Sequence, residues 1–439
     1  MKKDYLNLTK EVIDFIDKSP TAFQAVHNIA CELENAGFQK LIEADEWNIS
    51  PGRKYYVTRN MSSIIAFQMP ESIKLRGYMM IASHSDSPNF KIKPNPEMTV
   101  DNEYLKLNIE KYGGMICSTW FDRPLSIAGR VLVKTETGVK SVLVDIQKSI
   151  AVIPSLAVHL SHEANNGCKH NVQKDMLPLL CGGDKEAFNK MLRQAVDSDE
   201  ILGADLFLYN TQSGTTVGIN DEYFSAPRID NLECAYVSLK AFLSSAPSSC
   251  PKVYCVFDNE EVGSGTKQGA KSTFLYDTLY RISNGIGMTQ TEFLRCLASS
   301  FMLSADNGHA LHPNYEEKAC PTNRPKLNGG VLIKYNAQQK YTTDAVSEAV
   351  FKQICHEANV PYQEYTNRSD IPGGSTLGNL SGEHVSISSA DIGFAQLAMH
   401  SCYETAGSFD TAYMLSAMQK FYETELTANK DGGFDIVFR

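Results

Sequence analysis

The sequence has no long apolar run, no closely paired cysteines and no excess of basic charge. Nothing in its 439 residues approaches the roughly 18 consecutive apolar residues of a membrane-spanning helix, so no membrane partner is expected. The opening Met1-Lys2-Lys3-Asp4 is charged, and Glu11, Asp14 and Asp17 interrupt the apolar residues after it, so no secretory leader is expected either. The 11 cysteines are odd in number and none forms a C-x-x-C pair. Scattered single cysteines read as reduced thiols, which makes a cytoplasmic location the expectation. Forty-one basic residues stand against 51 acidic ones, a net charge of −10, with basic residues grouped only as isolated pairs. That balance argues against nucleic acid as a partner. Internal repeats and low-complexity tracts are missing too.

What is present is an ordinary globular composition, 43% hydrophobic and 21% charged, with enough apolar material for a large core. The length suits two or three domains, or one large fold carrying an insertion. Helical spacing at Leu6, Val12, Ile13 and Ile16 is broken by Ser19-Pro20-Thr21 and resumes with Phe23, Val26, Ala30 and Leu33. Strand-like runs come next at 54–58, 63–68 and 77–83. The last, Tyr78-Met79-Met80-Ile81-Ala82, is continuously apolar, the texture of a strand covered on both faces. From Pro94 to about Asn220 short alternating segments are separated by Gly, Pro and Asn turns, which reads as a mostly β insertion. After Ile229 strands and helices alternate to the end, which predicts a largely parallel α/β sheet. The expected plan is an α/β domain over 1–94 and 221–439 interrupted by a β-rich domain over 95–220. Pro94–Val100 and Asp221–Pro227 are the expected crossing linkers.

Ligands of open α/β sheets bind beyond the carboxyl ends of strands. Chemistry-bearing residues come directly after several of the apolar strands. Ser83-His84-Ser85-Asp86 follows the first, Asp258-Asn259-Glu260-Glu261 another, and Asp306 ends Leu303-Ser304-Ala305. Arg228-Ile229-Asp230-Asn231 opens a helix, and His400 follows the apolar stretch Phe394–Met399. Each alone has a bland reading: a helix-capping Asp, a packed His, a solvated Glu-Glu turn. Their recurrence after strands from separate parts of the chain changes that balance, and mixed His and carboxylate donors suit Zn²⁺ or a similar ion. Two neighbouring metals sharing one carboxylate need about five protein ligands, and His84, Asp230, Glu261, Asp306 and His400 supply them, with Asp230 the sensible bridge. Glu260 is then free to act as general base, and Asp86 is placed to fix the His84 tautomer.

Competing motifs are weaker. Gly263-Ser264-Gly265-Thr266-Lys267-Gln268-Gly269 has one residue too many for a dinucleotide loop, and acidic residues precede it. In Gly374-Ser375-Thr376-Leu377-Gly378 the serine stands second rather than third, so it is no nucleophile elbow. His162-Glu163 and His356-Glu357 begin like a one-helix zinc motif, but Asn166 and Val360 occupy the second histidine position.

The ordered set resembles the aspartyl aminopeptidase family of cocatalytic zinc exopeptidases. It comprises His84-Ser85-Asp86-Ser87-Pro88, Thr119-Trp120-Phe121-Asp122-Arg123, Pro227-Arg228-Ile229-Asp230-Asn231 and Asp258-Asn259-Glu260-Glu261-Val262-Gly263-Ser264. Ser304-Ala305-Asp306 with His309-Ala310-Leu311-His312-Pro313-Asn314, and Met399-His400-Ser401, complete it. The resemblance implies a zinc-exopeptidase-like mixed sheet flanked by helices, interrupted by a β-rich dimerisation domain, and assembly from dimers into a tetrahedral homododecamer. It implies two divalent ions per subunit, most simply Zn²⁺, with Co²⁺ or Mn²⁺ also accepted. One ion would take His84, Asp230 and Asp306; the other Asp230, Glu261 and His400. It implies Glu260 as general base, Asp86 as orienting residue, His159 as a histidine reaching a neighbouring subunit's site, and Lys334 as a substrate contact. Pro124 and Asn307-Gly308 depart from the commoner residues of that family without touching a proposed ligand.

The implied reaction is removal of an N-terminal Asp or Glu from peptides. Since the chain is acidic overall, any such preference has to be local. For Lys334 a solvated strand-end lysine is the plain alternative, and for His159 a structural histidine in an apolar β segment. Two other functions stay open: a dinuclear hydrolase for neutral N-terminal residues or other amides, and a catalytically silent assembly protein of the same fold. The complete ligand set with Glu260 speaks against the second.

Overall fold

The computed structural model describes residues 2–72, 77–161 and 163–438; His162 lies outside the described residues. The expected α/β core is a nine-stranded sheet. In sheet order its strands are Gln39–Leu41, Lys54–Arg59, Ser63–Gln68, Lys252–Phe257, Met79–His84, Phe301–Ala305, Ser388–Gly393, Val331–Tyr335 and Tyr362–Thr366. The three middle strands Lys252–Phe257, Met79–His84 and Phe301–Ala305 run parallel, Phe257 pairing beside His84. Ser388–Gly393 continues the parallel run beside Phe301–Ala305, while Ser63–Gln68 and Val331–Tyr335 pair antiparallel, so the sheet is mixed with the expected parallel strands at its centre.

Every residue of those three strands is buried, as their continuous apolar texture requires. Helices Lys2–Asp17, Ala22–Asn35, Ile229–Ser244, Ala345–Glu357 and Asp410–Glu423 bury apolar stripes against one face. Phe274–Gly285 and Gln290–Ala298 cover the other. Thr21 caps the second helix by accepting from Phe23 N, and Thr289 with Glu292 forms a capping box, so Ser19-Pro20-Thr21 is the break the sequence suggests.

A six-stranded antiparallel sheet between the two halves of this core has its own apolar interior, centred on Phe90, Leu107, Trp120, Ile127 and Leu208. Its first strand is Asn89–Val100, so the expected linker at Pro94–Val100 is instead part of a strand. The register slips between Ile92 and Glu97, with Asn95 at φ 52°, so the two prolines that read as a break sit in a bulge. Asp221–Pro227 likewise contains the strand Tyr223–Ala226. That strand belongs to a third sheet, ordered Thr215–Val217, Tyr223–Ala226, Glu404–Gly407, Ala395–Leu397, Gly308–His309. This small sheet carries the turn on which His400 sits.

Candidate metal centre

Three adjacent parallel strands deliver the residues at their carboxyl ends to one rim. His84 ends Met79–His84, Asp258 to Glu261 follow Lys252–Phe257, and Asp306 follows Phe301–Ala305. Asp230 arrives from the first residues of Ile229–Ser244, which are not helical: Asp230 has ψ 105° and its peptide bond to Asn231 is cis. Ser87 Oγ donates to Asp230 O at 2.7 Å and Asn231 Nδ2 to Ala305 O at 2.8 Å, which fix this corner to the rim. His400 comes from the turn between Ala395–Leu397 and Glu404–Gly407.

The five residues singled out as ligands converge. His84 Nε2 lies 3.4 Å from Asp230 Oδ1 and 3.6 Å from Asp306 Oδ1. His400 Nε2 lies 3.5 Å from Asp230 Oδ2 and 3.3 Å from Glu261 Oε2. The two oxygens of Asp230 thus face different histidines. Donor atoms about 2.0 Å from a tetrahedral zinc stand roughly 3.3 Å apart, close to these spacings. Asp230 Oδ1 and Glu261 Oε1 are buried and accept no hydrogen bond, which leaves them free for a cation.

Charge points the same way. Asp86, Asp230, Glu260, Glu261 and Asp306 gather around two imidazoles, with Asp258 next to Asp86, and carboxylates gathered out of water require positive charge. Burial pushes Glu260 up to about 8, opposed by His84 and reinforced by Asp306, Asp86 and Asp230. Burial likewise raises Glu261 and, with Asp86, lifts Asp258 to about 7. Burial disfavours charge on His84, but the carboxylates of Asp230, Asp306 and Asp86 around its ring outweigh it and raise the imidazole.

Asp86 does more than the sequence suggested. His84 Nδ1 lies 3.4 Å from its Oδ1 and 3.1 Å from its main-chain oxygen, so two acceptors are within reach of that ring nitrogen. Its carboxylate also accepts from Glu260 N at 3.1 Å, Glu261 N at 3.2 Å and Tyr112 Oη at 2.6 Å.

Lys334 and His159 are placed differently from their plain alternatives. Lys334 is 1% exposed, not solvated. Its Nζ donates to Asp306 O at 2.7 Å and Asn307 O at 3.2 Å, and stands 3.6 Å from Asp306 Oδ2. His159 lies on a 3-10 turn, Val158–Leu160, not in a β segment, and is exposed. Among the described residues the group close enough to hold one ion is His84, Asp230 and Glu261, and His159 is not in it. Two further residues were given no role from the sequence, Glu404 and, though it stands in one of the quoted motifs, His309. Glu404 accepts the main-chain N–H of both Asp230 and His400, at 3.0 and 2.6 Å. His309 faces the charges of Asp230, His400 and Asp306 and borders a cleft of about 520 Å³ with Tyr365, Gln396 and Ala398. Its position three residues after Asp306 was the available signal for it.

The sequence matches the family described as aminopeptidase I zinc metalloprotease (M18) over residues 15–422. It is 46% identical over 430 residues to the probable M18 family aminopeptidase 2 of Clostridium novyi (strain NT), spanning 96% of this chain and 99% of that protein. The fold is similar to that of Ape4 in its cryo-EM complex with Nbr1, with a TM-score of 0.93 at 35% identity over 96% of this chain and 86% of that one. It is also similar to S. cerevisiae mApe1, solved as a dodecamer, with a TM-score of 0.83 at 27% identity over 95% and 97% of the two chains.

Proposed function

The chain belongs to the aminopeptidase I zinc metalloprotease (M18) family, and from that premise we propose that it is a dinuclear aminopeptidase removing N-terminal Asp or Glu from peptides. The observation that carries the dinuclear reading is Asp230, whose two oxygens each face a separate histidine. His84, Asp230 and Asp306 would hold one divalent ion, and Asp230, Glu261 and His400 the other. When bound, such a pair polarises a carbonyl oxygen and lowers the pKa of water to about 7, as a single zinc already can.

The chain's own groups do the rest. Glu260 stands beside the ligand Glu261, with its main-chain N–H held by Asp86. Its Oε takes a proton from the attacking water and returns it to the departing amine. His159 is exposed beside Leu156, Val158 and Leu160, all more than half exposed, which suits a loop that packs into another copy and offers its imidazole to the substrate carbonyl there. A homododecamer is the assembly proposed, by likeness to the S. cerevisiae mApe1 dodecamer. A cytoplasmic location belongs to the same reading. Among the described residues, no helix is long and apolar enough to cross a membrane.

The acidic preference rests on the family resemblance and on a cation near Asp306. One observation favours a second reading, an aminopeptidase for neutral residues: the Lys334 ammonium already has two carbonyls and a carboxylate around it. Hydrolysis of Asp-, Glu- and Leu-p-nitroanilides, before and after chelation and metal restoration, separates the two. Acidic-residue cleavage that chelation abolishes and metal restores is expected. Leu cleavage alone would keep the metals and discard the acidic preference. No cleavage by metal-loaded, assembled protein would favour a silent scaffold.

A further inference from the structure

His84 and His400 are held by unlike means. His84 ends a buried central strand, with hydrogen-bonded neighbours on both sides of the sheet. His400 stands on a turn, with Ala398 at φ 55° and His400 itself at φ 66°. Left-handed backbone at two non-glycine residues persists only where surrounding contacts determine it. Here the contacts are few and specific. Ser401 N donates to Ala398 O at 2.9 Å, and Ile116 N to His400 O at 3.0 Å. His400 N donates to Glu404 Oε1 at 2.6 Å.

The other oxygen of that carboxylate, Oε2, accepts from Asp230 N at 3.0 Å. Glu404 is 1% exposed and opens the strand Glu404–Gly407, whose pairing with Tyr223–Ala226 and Ala395–Leu397 fixes its backbone. One buried carboxylate therefore fixes the main chain of two residues brought together from distant parts of the chain. His400 and one of the two Asp230 oxygens face the Glu261 side of the centre. Asp86 performs the matching task opposite, accepting from Glu260 N and Glu261 N.

We propose that Glu404 is a positioning residue for the metal ion taken by Asp230, Glu261 and His400, holding the Asp230 and His400 backbones at the separation that ion needs. The proposal rests on the dinuclear reading above. It assigns Glu404 no contact with the ion or the substrate. Its geometry makes one demand: both oxygens must act as acceptors at once. A glutamine of the same size offers one oxygen and one NH₂, so it can accept from only one of the two amides and turns a donor toward the other. An aspartate keeps the charge but is one methylene shorter and cannot span both.

The test compares wild type, Glu404→Gln, Glu404→Asp and His400→Ala, each loaded with zinc and dialysed against rising concentrations of a chelator. Zinc per subunit is counted and far-ultraviolet circular dichroism recorded. Wild type should retain two ions over a broad chelator range. Glu404→Gln should keep one ion as wild type does and lose the other at a chelator concentration at least tenfold lower, with Glu404→Asp between them and His400→Ala holding one from the start. Activity of Glu404→Gln should return on adding zinc, with the half-saturating zinc concentration raised by at least tenfold. Glu404→Gln that melts earlier yet holds both ions with wild-type affinity would overturn the proposal, leaving Glu404 a packing residue. Should Glu404→Gln fail to fold, Glu404→Asp decides by the same readout. A wild type that never holds more than one ion would instead refute the dinuclear reading, and this proposal with it.

Discussion

Two histidines assigned to the same chemistry live in opposite surroundings. His84 is 1% exposed, at the end of a buried strand, with Asp86, Asp230 and Asp306 around its ring. His159 lies on an exposed turn whose neighbour Leu160 is 74% exposed. The contrast separates a residue whose partners are all in its own chain from one for which the proposal above places them in another copy. A solvent-facing run of large apolar side chains is a cost a monomer has no reason to carry. The loop is nonetheless anchored at its base: Asp122 accepts from Ser155 N at 2.9 Å and from Ser155 Oγ at 2.6 Å. A firm base under an apolar tip is the form of an element prepared to dock.

The sharpest way to break this comparison is inside the buried half. Glu260→Gln should keep both metals while lowering turnover by about 10²–10⁴-fold, as expected for loss of a general base. Metal content and p-nitroanilide turnover measured on one preparation check it, and near-normal turnover would remove Glu260 from the mechanism.

The exposed half should respond differently. His159→Ala should lower turnover by about 10²-fold, the scale of a lost oxyanion donor, with metal content and sedimentation unchanged. Replacing Leu156, Val158 and Leu160 by serine should lower activity by weakening assembly, seen as smaller species in sedimentation velocity. If His159→Ala dissociates the assembly instead, the histidine is an interface residue.

Lys334→Met tests the inner wall. Removing the ammonium leaves Asp306 O and Asn307 O buried without their donor, a loss of about 1–3 kcal/mol per orphaned group. A lower melting temperature and weaker zinc retention are expected. An unchanged Asp-to-Leu cleavage ratio in this variant would confine Lys334 to holding Asp306.

The smallest effect is a pH dependence. Burial pushes Asp410 up from 3.8 to about 7, partly opposed by the amides of Gly330 and Asn328. Between about pH 4 and pH 7 the folded chain keeps a proton on this group that the unfolded chain has released, so this contribution to stability falls as pH rises. Asp410→Asn should flatten thermal stability across that window, and an unchanged slope would remove Asp410 as its source.

The rim was legible in the sequence because each apolar strand ends abruptly in a His or carboxylate, and burial of both faces leaves such a strand little else to signal. The strand Ser388–Gly393 was not legible. It carries Asp391 within the sheet, made tolerable by Thr342 N, Thr342 Oγ1 and Thr376 Oγ1, donors that only the fold brings together. Pro94 and Pro96 read as a linker because a bulge and a break use the same residues. Whether the β-rich unit is a separable domain at 95–220 is a proposal of its own, since its first strand runs through position 95. Glu404 was missed because it acts on main-chain groups. The one hint was an acidic residue four positions after a candidate ligand histidine.

The central claim is a two-ion centre bridged by Asp230. Anomalous diffraction at the zinc edge from crystals grown with zinc tests it most directly. Two peaks per subunit are expected, about 3.5–4 Å apart, one beside His84 and Asp306, the other beside Glu261 and His400, with Asp230 touching both. A single peak, or two that do not share Asp230, would contradict it.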